Sequence, residues 1–142
     1  MRWAPETVVL DASVLISAFG WRGSGRRIYL RCREGSLRLA TSPALIAELR
    51  RALHYPKLGF TEVEIESFVS DVLGDASVVE PSLKLEVVEE DPDDNRVLEC
   101  AVPAGASWIV SGDGHLLDFE EYRGTRTLKA SRAIGVPAPA DG

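Results

Sequence analysis

Cysteine is scarce: Cys32 and Cys100 are the only two in 142 residues. Both fall in helical patterns, so they make no disulfide framework and fit a reducing compartment. Histidine is equally rare, and His54 and His115 stand far from each other and from both cysteines, which leaves no zinc-binding spacing. Long apolar runs are missing too. The longest nearly uncharged stretch, residues 100–110, is broken by Pro103, Gly105 and Ser107 and falls short of the roughly 18 residues a membrane span needs. Glu6 and Asp11 interrupt any apolar segment that could serve as a secretory signal. Gly (12) and Pro (8) are too few and too scattered for a low-complexity chain. These absences lead to the expectation of a cytoplasmic protein without membrane association: one domain over residues 1–135, then a flexible tail over 136–142.

What is present is unevenly charged. Residues 1–57 hold ten Lys/Arg against four Asp/Glu, residues 58–100 two against thirteen, and residues 101–142 four against five. The net charge of −6 does not attract a polyanion, but the arginines between Arg22 and Arg51 form a basic face if they cluster in space. A merely solvated helical surface is the plainer reading of the same charges.

Short β-branched runs alternate with amphipathic helices. Strands are expected over residues 7–10, 37–40, 77–80, 108–110 and 125–129. Helices are expected over 12–18, from the glycine-rich loop 20–25 to 34, over 43–53, from Thr61 onward, and over 92–102, where Pro103 should end or kink the last of these. Ser42 and Pro43 have helix-start chemistry, and Thr61 with Glu64 has capping-box spacing. Leu45, Ile46, Leu49 and Leu53 form one core stripe; Ile65, Phe68, Val69, Val72 and Leu73 form another. The alternation predicts a three-layer α/β/α domain with a central parallel sheet flanked by helices, and the continuously apolar 8–10 and 108–110 suit strands covered on both faces.

Each of those two runs ends in polar chemistry, Asp11 after the first and Ser111-Gly112-Asp113 after the second. In open α/β sheets, sites form beyond the carboxyl ends of strands, so both acids point to one crevice. Asp94 shares a helical line with Leu98 and Ala101, whereas Asn95, Arg96 and Glu99 read as solvated. An acid in a first helical turn is also explained by capping, with Asp91 as the cap. Glu48 lies at the margin of its helix's core stripe, where a surface pair with Arg51 is the simpler explanation. Taken together, Asp11, Glu48, Asp94 and Asp113 form a set that repels itself unless a cation compensates. Mg²⁺ or Mn²⁺ suits such oxygen ligands and supports phosphoryl transfer.

The segments Leu10-Asp-Ala-Ser-Val-Leu-Ile-Ser-Ala18, Ile46-Ala-Glu-Leu49, Asp91-Pro-Asp-Asp-Asn-Arg-Val-Leu-Glu-Cys-Ala101 and Ile109-Val-Ser-Gly-Asp113 resemble the acidic motifs of PIN-domain ribonucleases. Their order and spacing are closest to the VapC-like branch, the toxin components of toxin–antitoxin pairs, over residues 7–130. The resemblance implies Mg²⁺- or Mn²⁺-dependent hydrolysis of RNA, with Asp11, Glu48, Asp94 and Asp113 as catalytic and metal-holding acids. Ser13 and Ser111 match positions that help hold metal-bound water. A cognate antitoxin and a homodimer are the partners it implies. Position 115, where this branch carries a further acid, holds His115, a candidate to tune water or metal, with Asp118 available as replacement charge.

Arg22, Arg26, Arg27 and Arg31, with Trp21, are candidate RNA contacts by phosphate pairing and stacking. Two other functions fit parts of the pattern. One is a PIN-fold module that binds RNA or protein without cleaving. The other is a phosphotransfer domain, against which stands the lack of a second acid in Asp11-Ala12-Ser13.

Overall fold

A computed structural model describes residues 6–80, 92–112, 121–122 and 124–133, with the side chains of 92–95, 121, 122, 131 and 133 outside the description. The expected tail therefore lies outside the described residues. The elements run β1 (Glu6–Leu10), α1 (Ala12–Gly20), α2 (Ser24–Arg33), β2 (Leu37–Thr41), α3 (Pro43–Leu53), a 3₁₀ turn (Pro56–Leu58) and α4 (Glu62–Asp75). They continue with β3 (Ala76–Val78), α5 (Pro92–Ala104), β4 (Trp108–Val110), β5 (Glu121–Tyr122), β6 (Thr125–Leu128) and α6 (Ala130–Ala133).

The strands form one sheet in the order β3-β2-β1-β4-β6-β5. Five are parallel, and the two-residue β5 runs antiparallel to β6. Packing covers both faces. Val8, Leu10, Leu37, Leu39 and Val110 meet side chains of α1, α2, α3 and α4 on one side; Val9, Ala40 and Ile109 meet Val97, Leu98, Cys100 and Ala101 of α5 on the other. The expected three-layer α/β/α architecture is what the chain adopts.

Helix starts follow the expected local chemistry. The Asp11 side chain accepts from the Val14 amide at 3.0 Å, and Ser42 from the Leu45 amide at 3.3 Å with Pro43 as the first helical residue. Thr61 and Glu64 form a reciprocal capping box, with bonds of 3.1 and 2.8 Å. Each such cap contributes about 1 kcal/mol. The three buried leucines and one isoleucine of the α3 stripe contribute more, roughly 1.5–3 kcal/mol apiece relative to exposure.

Four details differ from expectation. Helix α5 runs through Pro103 to Ala104, because the proline sits in the last turn. There Gly105, at φ 66°, closes the helix: its amide bonds the Val102 carbonyl at 3.1 Å and the Ala106 amide bonds that of Ala101 at 3.0 Å. The loop after α1 shrinks to residues 21–23, with Gly25 inside α2. An added Cβ at Gly25 would lie 2.9 Å from Ser17 Cβ and 3.0 Å from the Val14 carbonyl, so only glycine lets α1 and α2 come this close. Leu73 is exposed rather than core, since it stands eight residues and about 80° around the helix from Ile65. Glu99 is buried and Arg96 half-buried instead of solvated. Val97 to Ala101 are all enclosed, so α5 has no solvated side there, and Glu99 is instead paired with Arg96 at 2.9 Å.

Candidate functional site

The chain steps outward from β1 to β2 to β3, then crosses back to β4 on the other side of β1. The strand order therefore reverses between β1 and β4, and the crevice at their carboxyl ends is where α/β sheets bind ligands. Asp11 is the first residue past β1 at that point. Its amide bonds the Val110 carbonyl at 3.1 Å, locking the two strand ends together.

Asp11 is 7% exposed, and both carboxylate oxygens are engaged. Oδ1 accepts from the Ser13 hydroxyl at 2.7 Å and from the Val14 amide at 3.0 Å. Oδ2 accepts from the fully buried Ser111 hydroxyl. These bonds fix the orientation of a carboxylate that also caps α1, where the helix dipole favours negative charge. Ser13 is exposed and Ser111 buried, so one rim hydroxyl and one floor hydroxyl flank the acid.

The other expected acids are positioned to different degrees. Glu48 is half-buried on α3, which starts directly at the carboxyl end of β2 and packs against both α1 and α5. Asp94 lies in the first turn of α5. Helix α5 connects to the start of β4 through residues 105–107, so its first turn stands at the opposite, carboxyl end of the strands, the same end as Asp11. Its side chain, and Asp91, Asp113, His115 and Asp118 as a whole, lie outside the described residues; Asp113 follows Ser111 by two positions. Among the described residues no three His, Cys, Asp or Glu side chains gather closely enough to hold an ion. The donors that are described beside Asp11 are hydroxyl and carboxylate oxygens, a set that fits a hard divalent cation and offers nothing to zinc.

A hollow of about 460 Å³ opens beside these hydroxyls, lined by Ser13, Ser17, Gly25, Ser111, Gly112 and Lys129 among others. Ser17, Gly112 and Lys129 were not singled out from sequence; their proximity comes from the meeting of α1, the end of β4 and the end of β6. A second hollow of about 410 Å³ is lined by Arg22, Arg26 and Arg27 with Gly23 and Leu30. It unites three of the four expected arginines, while Arg31 is half-buried elsewhere on α2. Trp21, 53% exposed, stands beside them with its ring edge on Phe60 at 6.4 Å.

Thr41, at the carboxyl end of β2, carries a buried hydroxyl without a hydrogen-bond partner among the described residues. The thiols take no part in the site. Burial pushes Cys32 up to about 12, and burial does the same to Cys100 against the opposing effect of the Ser42 hydroxyl.

The sequence matches the PIN domain family over residues 7–115. The chain belongs to the PIN domain family. Its fold is similar to that of PAE2754 from Pyrobaculum aerophilum, at TM-score 0.61 and 20% identity over 95% of this chain and 96% of that one. It is also similar to VapBC2 from Rickettsia felis bound to a DNA fragment from its promoter, at TM-score 0.59 and 13% identity over 87% of this chain and 98% of that one. No curated protein matches the chain by sequence. As a PIN domain, the chain places Asp11 at the switch point of its sheet, and no helix among the described residues is long and apolar enough to cross a membrane.

Proposed function

We propose that this PIN domain is a divalent-metal-dependent ribonuclease, the toxin component of a toxin–antitoxin pair. The observation that carries the reading is the buried Asp11 carboxylate at the β1/β4 switch point, held by Ser13 and Ser111. Asp11, Glu48, Asp94 and Asp113 are the residues that would hold Mg²⁺ or Mn²⁺. When bound, such an ion lowers the pKa of water and offsets charge developing on a phosphodiester. The chain's own contribution is orientation. Ser13 and Ser111 fix the Asp11 oxygens before any ligand arrives, so little reorganisation is needed on binding. His115 is proposed to tune the outer shell, and Arg22, Arg26 and Arg27 to contact RNA phosphates. Membership of the family supports nuclease chemistry, and likeness to VapBC2 supports a protein antitoxin as partner.

The deciding assay is cleavage of defined single-stranded RNAs by the purified protein with Mn²⁺ and with chelator. Cleavage with the ion, none with chelator, and none from Asp11→Asn or Asp94→Asn supports the proposal. Equal cleavage by the doubly neutralised protein would falsify it.

A further inference from the structure

The two hollows share one wall. Gly25 lines the first, and Gly23 and Arg26, on either side of it in the chain, line the second. Both therefore open around the first turn of α2, where it packs on α1. Along α1, Ser13 and Ser17 are four residues apart, share one helical face and both line the first hollow. Lys129 closes that hollow at the Asp11 end, and the arginines with Trp21 stand at the far end of α1. The nine residues of α1 span about 13 Å. A cation, a row of hydroxyls, a cluster of arginines and an exposed indole follow one another along that length. Cations for phosphates and an aromatic face for a base are what a single nucleic-acid strand requires.

We infer that a single RNA strand leaves the Asp11 site along α1, with Lys129 binding a phosphate at the near end and Arg22, Arg26, Arg27 and Trp21 gripping the strand at the far end. The route rests on the nuclease reading for its substrate, but its test is a binding experiment. Lys129 is a positioning residue here: its charge fixes where the strand enters the acidic crevice. Gly25 has a second consequence on this route. A side chain there would fill the floor of the hollow as well as force the helices apart.

The test is fluorescence anisotropy of a labelled single-stranded oligouridylate, titrated with the full chain in chelator so that no cleavage occurs. Lys129→Ala and the triple variant Arg22→Ala/Arg26→Ala/Arg27→Ala should each weaken binding about tenfold or more, the loss expected when charged hydrogen bonds are removed. The slope of log affinity against log salt should fall by roughly 0.7 for Lys129→Ala and by about 2 for the triple variant. Lys129→Arg should restore binding. Arg38→Ala, which removes the same charge from an exposed position at the amino end of the sheet, should bind like the unaltered protein. Thermal melting identifies any variant that fails to fold, and the exposed Lys129 position makes this unlike a core substitution. Unchanged affinity in Lys129→Ala, or an equal loss in Arg38→Ala, overturns the route. RNA binding that obeys this pattern without cleavage under Mn²⁺ leaves the route standing and removes the nuclease; cleavage without the pattern does the reverse.

Discussion

The Ser111 hydroxyl donates to Oδ2 of Asp11, joining side chains a hundred positions apart in the chain and one strand apart in the sheet. A buried carboxylate with both oxygens engaged is costly to disturb, and two consequences follow from the groups around it.

Asp11→Asn should separate chemistry from folding. Asparagine is as good an N-cap as aspartate, and its Oδ1 can still accept from the Val14 amide, but its Nδ2 replaces the oxygen that accepts from Ser111, so a folded protein weakened by about 1–3 kcal/mol is expected. RNA cleavage with Mn²⁺ should vanish. A denaturant melt and a cleavage time course on the same preparation check both halves; loss of folding would place Asp11 in a structural role only.

Ser111→Ala leaves Oδ2 of Asp11 short of a donor in a buried setting. The expected destabilisation is about 1–3 kcal/mol. Removing a partner that orients a metal-holding carboxylate should also weaken Mn²⁺ affinity by roughly 10- to 100-fold, read by calorimetric titration. Unchanged affinity would show that Ser111 serves the fold alone.

Gly25→Ala forces its Cβ into Ser17 and the Val14 carbonyl. Since backbone cannot yield as a flexible side chain does, a loss of about 1–3 kcal/mol is expected from overpacking. Gly23→Ala, with open space around the position, serves as the comparison. Thermal unfolding of the two variants side by side checks the difference.

His54 links α3 to α4 in a pH-dependent manner. Its Nδ1 donates to the Arg50 carbonyl at 2.7 Å and its Nε2 to Glu62 at 2.6 Å, and these two bonds raise its pKa above the usual value. A raised pKa means the stabilisation is present below the unfolded value of about 6.5 and is lost as pH rises through the folded one. The difference in urea midpoint between the unaltered protein and His54→Gln should therefore shrink from pH 5.5 to pH 8.5, set here as about one unit below and two above that reference. A constant difference would remove His54 from the pH response.

Cys32 and Cys100 should resist thiol reagents in the native state. Both are buried, and their pKa values near 12 leave almost no thiolate at neutral pH. Colour development with an aromatic disulfide reagent should wait for global unfolding, in step with the loss of the circular dichroism signal.

Much of this fold is legible in the sequence because local rules are obeyed. Ser42-Pro43 and Thr61 with Glu64 start helices where their chemistry says they should, and the stripe of Leu45, Ile46, Leu49 and Leu53 is buried throughout. Departures arise where the environment outvotes local pattern. Glu99 looks solvated on a helical wheel, yet α5 is enclosed there and Arg96 provides its partner. Gly25 looks like a loop residue, yet close helix packing makes it part of α2. The two residues of β5 are too few to leave a periodic signal.

By itself, the sequence determined the alternation of strands and helices, the caps that start them, and a set of acids spaced at strand ends and first turns. Those properties depend on neighbours within a few positions, which the linear order contains. The tertiary structure alone decided that β4 lies beside β1, that Ser111 therefore reaches Asp11, and that Ser17, Gly25 and Lys129 share one hollow. Strand order is set by how crossovers pack over the whole sheet, a long-range choice that no local run of residues encodes.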